Sequence, residues 1–223
     1  VTGSRARAAK GEGGLLREQL LDVAGHLLEE GGAGALTIRA VATSAGVTPP
    51  AVYLHFASKR ELVHATCLRV WNSLFTELEA VSRGVADPVT ALHEICVAYI
   101  SFGLGHPAQY RLVMDGEATE ASRRNADACF RYVRDKVAAC AEAGVPVAST
   151  TETARILCAG LHGAVALLIH QECPDAWPAD PARYATRAAS SAVHGALLTA
   201  AQESRPSMST VIRPAPGTTM PFS

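Results

Sequence analysis

The residues whose types and spacing carry chemistry fall in one stretch of this 223-residue chain, positions 37–62, TIRAVATSAGVTPPAVYLHFASKREL. Tyr53 and His55 offer hydrogen-bond donors at the end of a short predicted helix. Lys59 puts a positive charge in the first turn of the next helix, where a cation opposes the macrodipole. That placement is favourable when an anion lies close by, shared by the lysine and the N-terminal amides. The chemistry implied is phosphate contact rather than bond-making. No H-E-x-x-H, nucleophile elbow or phosphate loop occurs in the sequence. His93 and Glu94 share one predicted helix and do not make a metal site by themselves. No catalytic residue, metal or cofactor is therefore expected, and the chain is not expected to be an enzyme.

Two short helices must position these groups. Thr37 is the N-cap of the first, with Ile38, Val41, Ala42 and Ala45 on its inward face. Gly46 can take the left-handed conformation needed for a sharp turn. Thr48 then caps the second. Pro49 and Pro50 lack N–H groups, so the cap bond from Thr48 must fall on the N–H of Ala51. Val47 and Val52 are spaced as a hydrophobic staple. Pro50 disfavours helical geometry at Pro49, which allows the start to slip by a residue. The inward set is Val47, Val52 and Phe56; the outward set is Thr48, Pro49, Pro50, Ala51, Tyr53 and His55. This is a helix-turn-helix pattern, whose second helix suits a DNA major groove.

The rest of the chain reads as helix after helix, with no sustained period-2 alternation. A helix over 15–31 carries Leu16, Leu20, Ala24, Leu27 and Leu28 and stops at Gly31-Gly32. Ser58 and Glu61 form a capping box that opens a helix to about 82, and Ser149 and Glu152 form another that opens one to about 172. Asp87-Pro88 and Asp180-Pro181 are N-cap and N1 pairs opening helices to about 105 and 202. His106-Pro107 opens a short one to about 114, and a further helix fits 119–143. The expected fold is all-α: nine helices, no strands and no internal repeat. Four parts are expected: a flexible basic arm at 1–14, a helical unit at 15–66 that holds the helix-turn-helix, a larger helical unit at 67–203, and a Pro/Ser/Thr-rich tail at 204–223. Arg5, Arg7 and Lys10 in the arm either form a solvated tail or reach an adjacent groove.

Composition narrows the class. Hydrophobic residues make up 48% of the chain, enough for a sizeable core. The formal net charge is −1, so only a local positive face can serve a polyanion. No uninterrupted apolar run of about 18 residues occurs, so no membrane span is expected. The basic N-terminus has no apolar region behind it, so no secretory signal is expected. Cys67, Cys96, Cys129, Cys140, Cys158 and Cys173 form no C-x-x-C pair and read as buried, reduced thiols of a cytoplasmic protein.

The pattern T-I-R-x-V-A-x-x-A-G-V-T-x-x-x-V-Y-x-H-F-x-S-K-x-x-L resembles the DNA-binding domain of the TetR/AcrR family of bacterial transcriptional regulators, over about 15–66. The resemblance implies a small N-terminal DNA-binding domain on a larger helical domain that binds ligand and dimerises. By position, Thr37, Thr48, Tyr53, His55 and Lys59 resemble the family's backbone contacts, and Arg39, Pro49, Pro50 and Ala51 can face base edges. Pro50 stands where many members have glycine. His106 to Leu112 and Leu161-His162-Gly163 resemble the WHG-type C-terminal domain of some of these regulators.

The resemblance also implies a ligand pocket among the middle helices. Candidates are Trp71, Phe75, Tyr99, Phe102, Tyr110, Met114, Phe130 and His162, each of which taken singly reads first as core and only as a set as a cavity lining; His162 reads first as a satisfied core histidine within an apolar run. The two last long helices are rich in Ala, Leu and Val and suit a four-helix homodimer interface. The function implied is a ligand-responsive regulator, most often a repressor in this family, bound to a palindromic double-stranded DNA operator and released by a small-molecule effector. A second reading is a small-molecule-binding or enzymatic helical protein that keeps the helix-turn-helix as scaffold.

Overall fold

The computed structural model describes residues 12–116, 119–170 and 177–203. The expectations for Arg5, Arg7, Lys10, Cys173 and the tail at 204–223 lie outside the described residues. Nine helices and no strand occur among those described: α1 (Glu12–Ala35), α2 (Ile38–Ser44), α3 (Pro49–Tyr53), α4 (Lys59–Ser82), α5 (Pro88–Gly105), α6 (Pro107–Met114), α7 (Glu120–Glu142), α8 (Thr150–Ile169) and α9 (Pro181–Glu203).

Local chemistry sets the boundaries. Asp87 accepts a hydrogen bond from the N–H of Thr90 at 2.8 Å, and Asp180 accepts one from Arg183 at 2.9 Å. Each acidic cap precedes a proline that has no N–H to leave unsatisfied. Ser58 Oγ accepts from the Glu61 N–H at 3.1 Å. The Glu61 carboxylate reaches back to the Ala57 N–H at 2.7 Å, one residue beyond a standard capping box. The second box is one-sided: Ser149 accepts from the Glu152 N–H, while the Glu152 carboxylate pairs with Arg155. In α1, Gly32 has φ 65° and ψ −171°, which breaks the helix where the Gly31-Gly32 pair predicts, and a last turn follows to Ala35. His106 makes no side-chain cap for α6. That role falls to Glu29 of α1, whose carboxylate accepts from the Gln109 N–H at 3.1 Å.

Among the described residues, three hydrophobic clusters fill the interior. One joins α1, α2, α3 and the start of α4 through Leu20, Ala24, Val41, Val52, Phe56 and Leu62. A second joins α5, α7, α8 and α9 through Leu92, Ile100, Val137, Leu157, Val165 and Ala189. The third lies between them, built on Trp71, Leu74 and Leu78 of α4 with Leu28, Ile95, Phe102 and Leu112. Helix α4 runs unbroken through the first and third clusters. Arg69, on its outer side, pairs with Glu18 and Asp22 of α1.

Helix α5 is the centre of the C-terminal part, packed against α4, α6, α7, α8 and α9. By length and mean hydropathy α5 and α8 both match a membrane span, although neither is an uninterrupted apolar run. The central place of α5 accounts for its composition: a helix with neighbours on most sides has few positions left for polar residues. Gly103 lets α8 approach α5 closely, since a Cβ there would lie 2.4 Å from Val165 Cγ1.

Candidate nucleic-acid interface and ligand cavity

Helices α2 and α3 meet at a turn made by Gly46, whose φ of 68° is left-handed. The Val47 N–H bonds the Ala42 carbonyl at 2.9 Å and the Gly46 N–H bonds the Thr43 carbonyl at 3.2 Å, closing the end of α2. Thr37 caps α2 as expected, its Oγ1 accepting from the Ala40 N–H at 3.1 Å. Thr48 does not cap α3 with its side chain, contrary to expectation. The Ala51 N–H instead bonds the Thr48 backbone carbonyl at 2.9 Å, as in a tight turn. With Pro49 and Pro50 supplying no donors, this backbone bond suffices and leaves the hydroxyl unspent.

Val52 and Phe56 are fully buried and fix the roll of α3. That roll turns Thr48, Pro49, Pro50, Tyr53 and Leu54 outward, beside the exposed Arg39 and Lys59. Ala51 and His55 are half-buried rather than fully outward, because both flank the buried Val52 and Phe56. The Arg17 guanidinium lies 5.1 Å from the Phe56 ring centre and covers its outer side. Lys59 occupies the first turn of α4, next to the N-cap Ser58. Leu54 is 84% exposed, a large apolar side chain held in water at the end of α3. The sequence reading missed it. The signal was present: with Val52 and Phe56 inward, position 54 must point away.

The candidate pocket residues divide. Trp71, Tyr99, Met114, Phe130 and His162 line one cavity of about 210 Å³ among α4, α5, α7, α8 and the end of α6. Tyr110 is fully buried behind it and connects through its hydroxyl, which lies 2.9 Å from the Tyr99 hydroxyl and 2.7 Å from His162 Nδ1. Phe75 does not line it; its ring packs edge-on against Tyr132 at 5.2 Å. Phe102 does not either, being part of the central cluster and lying 5.1 Å from the His106 ring. His162 is not a core histidine: it is exposed, and with exposed Ala126 it marks where the cavity opens between α7 and α8. The reading missed Leu78, Ile95, Ala126, Cys129, Val133, Cys158 and Leu161 in the walls. Their helical spacing is identical to that of solid core, so periodicity carries no signal for a void.

Burial pushes the Tyr99 phenol well up and holds Tyr110 at about 12, so both stay neutral donors. Burial likewise raises the Cys129 thiol to about 11, with the neighbouring Cys158 adding to it. Cys67, Cys96, Cys140 and Cys158 are raised too, by burial first. Raised thiols hold little of the thiolate, the form that reacts. A wider groove of about 730 Å³ runs from the α4 N-terminus (Ser58, Lys59) past His64 and Cys67 to Leu112 and Thr119. There His64 Nε2 and Thr119 Oγ1 lie 3.0 Å apart, tying α4 to the start of α7.

Comparison with known proteins sets this geometry in context. Residues 20–66 match the model for bacterial regulatory proteins of the tetR family, and residues 92–192 match that for the tetracyclin repressor-like C-terminal domain. The chain is 30% identical over 120 residues to the HTH-type transcriptional repressor KstR2 of Mycobacterium tuberculosis, covering 54% of this chain and 58% of that one. It is 34% identical over 121 residues to an uncharacterized HTH-type transcriptional regulator of the same species, covering 52% and 53%. The matched segment thus spans a little over half the length of these curated relatives. Among solved structures, a Rhodococcus protein described as of unknown function superposes with TM-score 0.69 at 24% identity, over 86% of this chain and 98% of that one. The TetR family model falls on the helix-turn-helix and its supporting helices, and the C-terminal model on the helices around the cavity; this chain belongs to the TetR/AcrR family of bacterial transcriptional regulators.

Proposed function

We propose that the chain is a homodimeric, ligand-responsive transcriptional regulator, a repressor released from a palindromic operator when a small molecule enters the cavity among α4, α5, α7, α8 and the end of α6. The observation that carries the DNA reading is the exposed face of α3. Thr48, Pro49, Pro50, Tyr53 and Leu54 stand in solvent beside Arg39 and Lys59, on a helix whose roll is fixed by buried Val52 and Phe56. In this reading Thr37, Thr48, Tyr53, His55 and Lys59 contact phosphates, while Arg39, Pro49, Pro50 and Ala51 face bases. Small apolar side chains on a recognition helix suit thymine methyl groups, and Leu54 extends that apolar surface. The division of labour follows the clusters: 15–66 reads DNA and 67–203 binds ligand and dimerises.

A lone helix-turn-helix reads few base pairs, and a dimer doubles the contacts. Helix α8 supports the dimer reading. Ile156 and Leu167 are 47% and 63% exposed, with Gly160 and Gly163 between them on the same stripe. A stripe with small residues at its middle allows close approach of a second copy. Effector binding would change operator affinity only if the two conformers bind the effector unequally. The cytoplasm is the compartment that this function requires.

The test is binding to the DNA upstream of the protein's own gene against a shuffled duplex, across a salt series. Preference for the native fragment, with log affinity falling linearly in log salt, is expected. Equal weak binding to both fragments, followed by failure to enrich any sequence from random DNA, would overturn the reading.

A further inference from the structure

Helix α3 offers the bases almost nothing to hydrogen-bond, and this inference rests on reading α3 as the recognition helix. Pro49 and Pro50 have no N–H. The Ala51 N–H is bonded to the Thr48 carbonyl at 2.9 Å, and the Val52 N–H reaches the same oxygen at 3.4 Å. The side chains of Pro49, Pro50, Ala51 and Leu54 carry no donor and no acceptor. The outward hydroxyls of Thr48 and Tyr53 stand at the two ends of the helix and serve phosphates in this reading. Leu54, 84% exposed, is the most exposed large apolar side chain among the described residues. Its place is fixed: the His55 and Phe56 N–H groups both bond the Val52 carbonyl, at 2.9 and 3.0 Å, and Val52 and Phe56 on either side of it are fully buried.

A surface of this kind can tell base pairs apart in one way. The donor and acceptor pattern of the major groove is invisible to it, and the only apolar group the groove displays is the C5 methyl of thymine. Burying one such carbon against an apolar side chain is worth about fourfold in affinity. A cytosine methylated at C5 presents the same group at the same place. Of the side chains that face bases in this reading, Arg39 on α2 alone can donate a hydrogen bond, and it carries that part of the readout. We propose that α3 reads the C5 methyl groups of pyrimidines, with Leu54 as the principal contact, so that 5-methylcytosine substitutes for thymine and operator affinity responds to cytosine methylation.

The full chain is first used to enrich its binding sequence from random double-stranded DNA. In the enriched duplex each thymine is then replaced, in both half-sites, by deoxyuridine, which lacks only the methyl. Where the methyl meets α3, gel-shift titration should show a loss of about fourfold per methyl, roughly sixteenfold for the symmetric pair, and no loss elsewhere. With cytosine placed at those same positions, 5-methylcytosine should bind tighter than cytosine by the same factor. Leu54→Ala should remove the difference between thymine and uracil at the position that Leu54 contacts. Leu54→Gln supplies a donor and an acceptor and should move the preference there to adenine. Leu54 is exposed, so both variants keep the core, and the uracil and 5-methylcytosine comparisons need no variant at all. Equal binding of thymine and uracil at every position, no gain from 5-methylcytosine, or an undiminished uracil penalty in Leu54→Ala would each overturn the proposal. Enrichment of a sequence that shows none of these methyl effects refutes the methyl readout alone. Failure to enrich any sequence refutes the regulator reading on which it rests.

Discussion

Two glycine-to-alanine substitutions should move stability in opposite directions, for reasons visible in the packing. Both glycines lie within helices, so alanine at either position gains about 1 kcal/mol of helix propensity. At Gly25 of α1 an added Cβ meets nothing within 4 Å, and that gain is kept. At Gly103 of α5 the Cβ would lie 2.4 Å from Val165 Cγ1 and 3.0 Å from Tyr110 Cδ2. Val165 and Tyr110 are fully buried, so neither can swing into solvent. Overpacking of this kind costs about 1–3 kcal/mol, and so deep an overlap belongs in the upper half of that range. The net for Gly103→Ala is a loss of about 1–2 kcal/mol. A chain of this size shifts by about 2–4 °C per kcal/mol, so Gly25→Ala should raise Tm by about 2–4 °C and Gly103→Ala lower it by about 2–8 °C. Scanning calorimetry at one fixed protein concentration measures both, since a dimer's Tm depends on concentration. A Gly103→Ala protein as stable as the wild type would show that α5 and α8 have slack at this point and would refute the close-approach argument.

Three further outcomes follow from the helix ends and the exposed face. Lys59→Ala should weaken operator binding and reduce the slope of log affinity against log salt by about 0.9 for each phosphate that the ammonium neutralises; Tyr53→Phe should weaken binding while leaving that slope unchanged, and gel-shift titrations over a salt series distinguish the two. Ser58→Ala removes the bond to the Glu61 N–H and should cost about 1 kcal/mol in urea unfolding. His170 closes α8 with Nδ1 on the Ala166 carbonyl at 2.9 Å and Nε2 on Asp115 at 2.8 Å. The Asp115 bond, then the Ala166 bond, raises its pKa above the ordinary 6.5. A raised folded pKa means that its stabilisation is full below about pH 6.5 and is lost as pH rises through the folded value. His170→Ala should therefore lower Tm at about pH 5.5 and lower it less at about pH 8.5; equal losses at both would show that the charge is irrelevant. The effect should be small, because the ring is exposed to solvent screening.

The helices were legible because their signals are local. Asp87-Pro88, Asp180-Pro181 and the Ser58/Glu61 pair each announce a start within four residues, and all three work as caps. Gly46 announces the turn through backbone freedom alone. The Thr48 side-chain cap failed because a backbone carbonyl competed for the same Ala51 N–H and won on geometry. The cavity was legible only in part. Large aromatic or polarisable side chains picked out Trp71, Tyr99, Met114, Phe130 and His162, yet the same criterion picked out Phe75 and Phe102, which are ordinary packing. A void is a relation among five helices, and no single helix's pattern records it. The exposure of His162 was hidden for the same reason: its neighbours along the chain are apolar, but its neighbours in space leave the mouth open.

The bond from Glu29 to the Gln109 N–H joins residues 80 positions apart, and it places an essential part of one helix's architecture in another's sequence. Helix α6 begins with a residue that makes no side-chain cap, and it borrows one from α1. Transplanting the first sixty residues onto a different C-terminal part is therefore not a neutral exchange. A donor segment lacking an acceptor at the place of Glu29 would leave the start of α6 frayed, beside the buried Tyr110 that completes the polar row behind the cavity. Grafts between such proteins should lose about 1 kcal/mol where this carboxylate is missing, independently of how well the exchanged helix-turn-helix reads its own DNA.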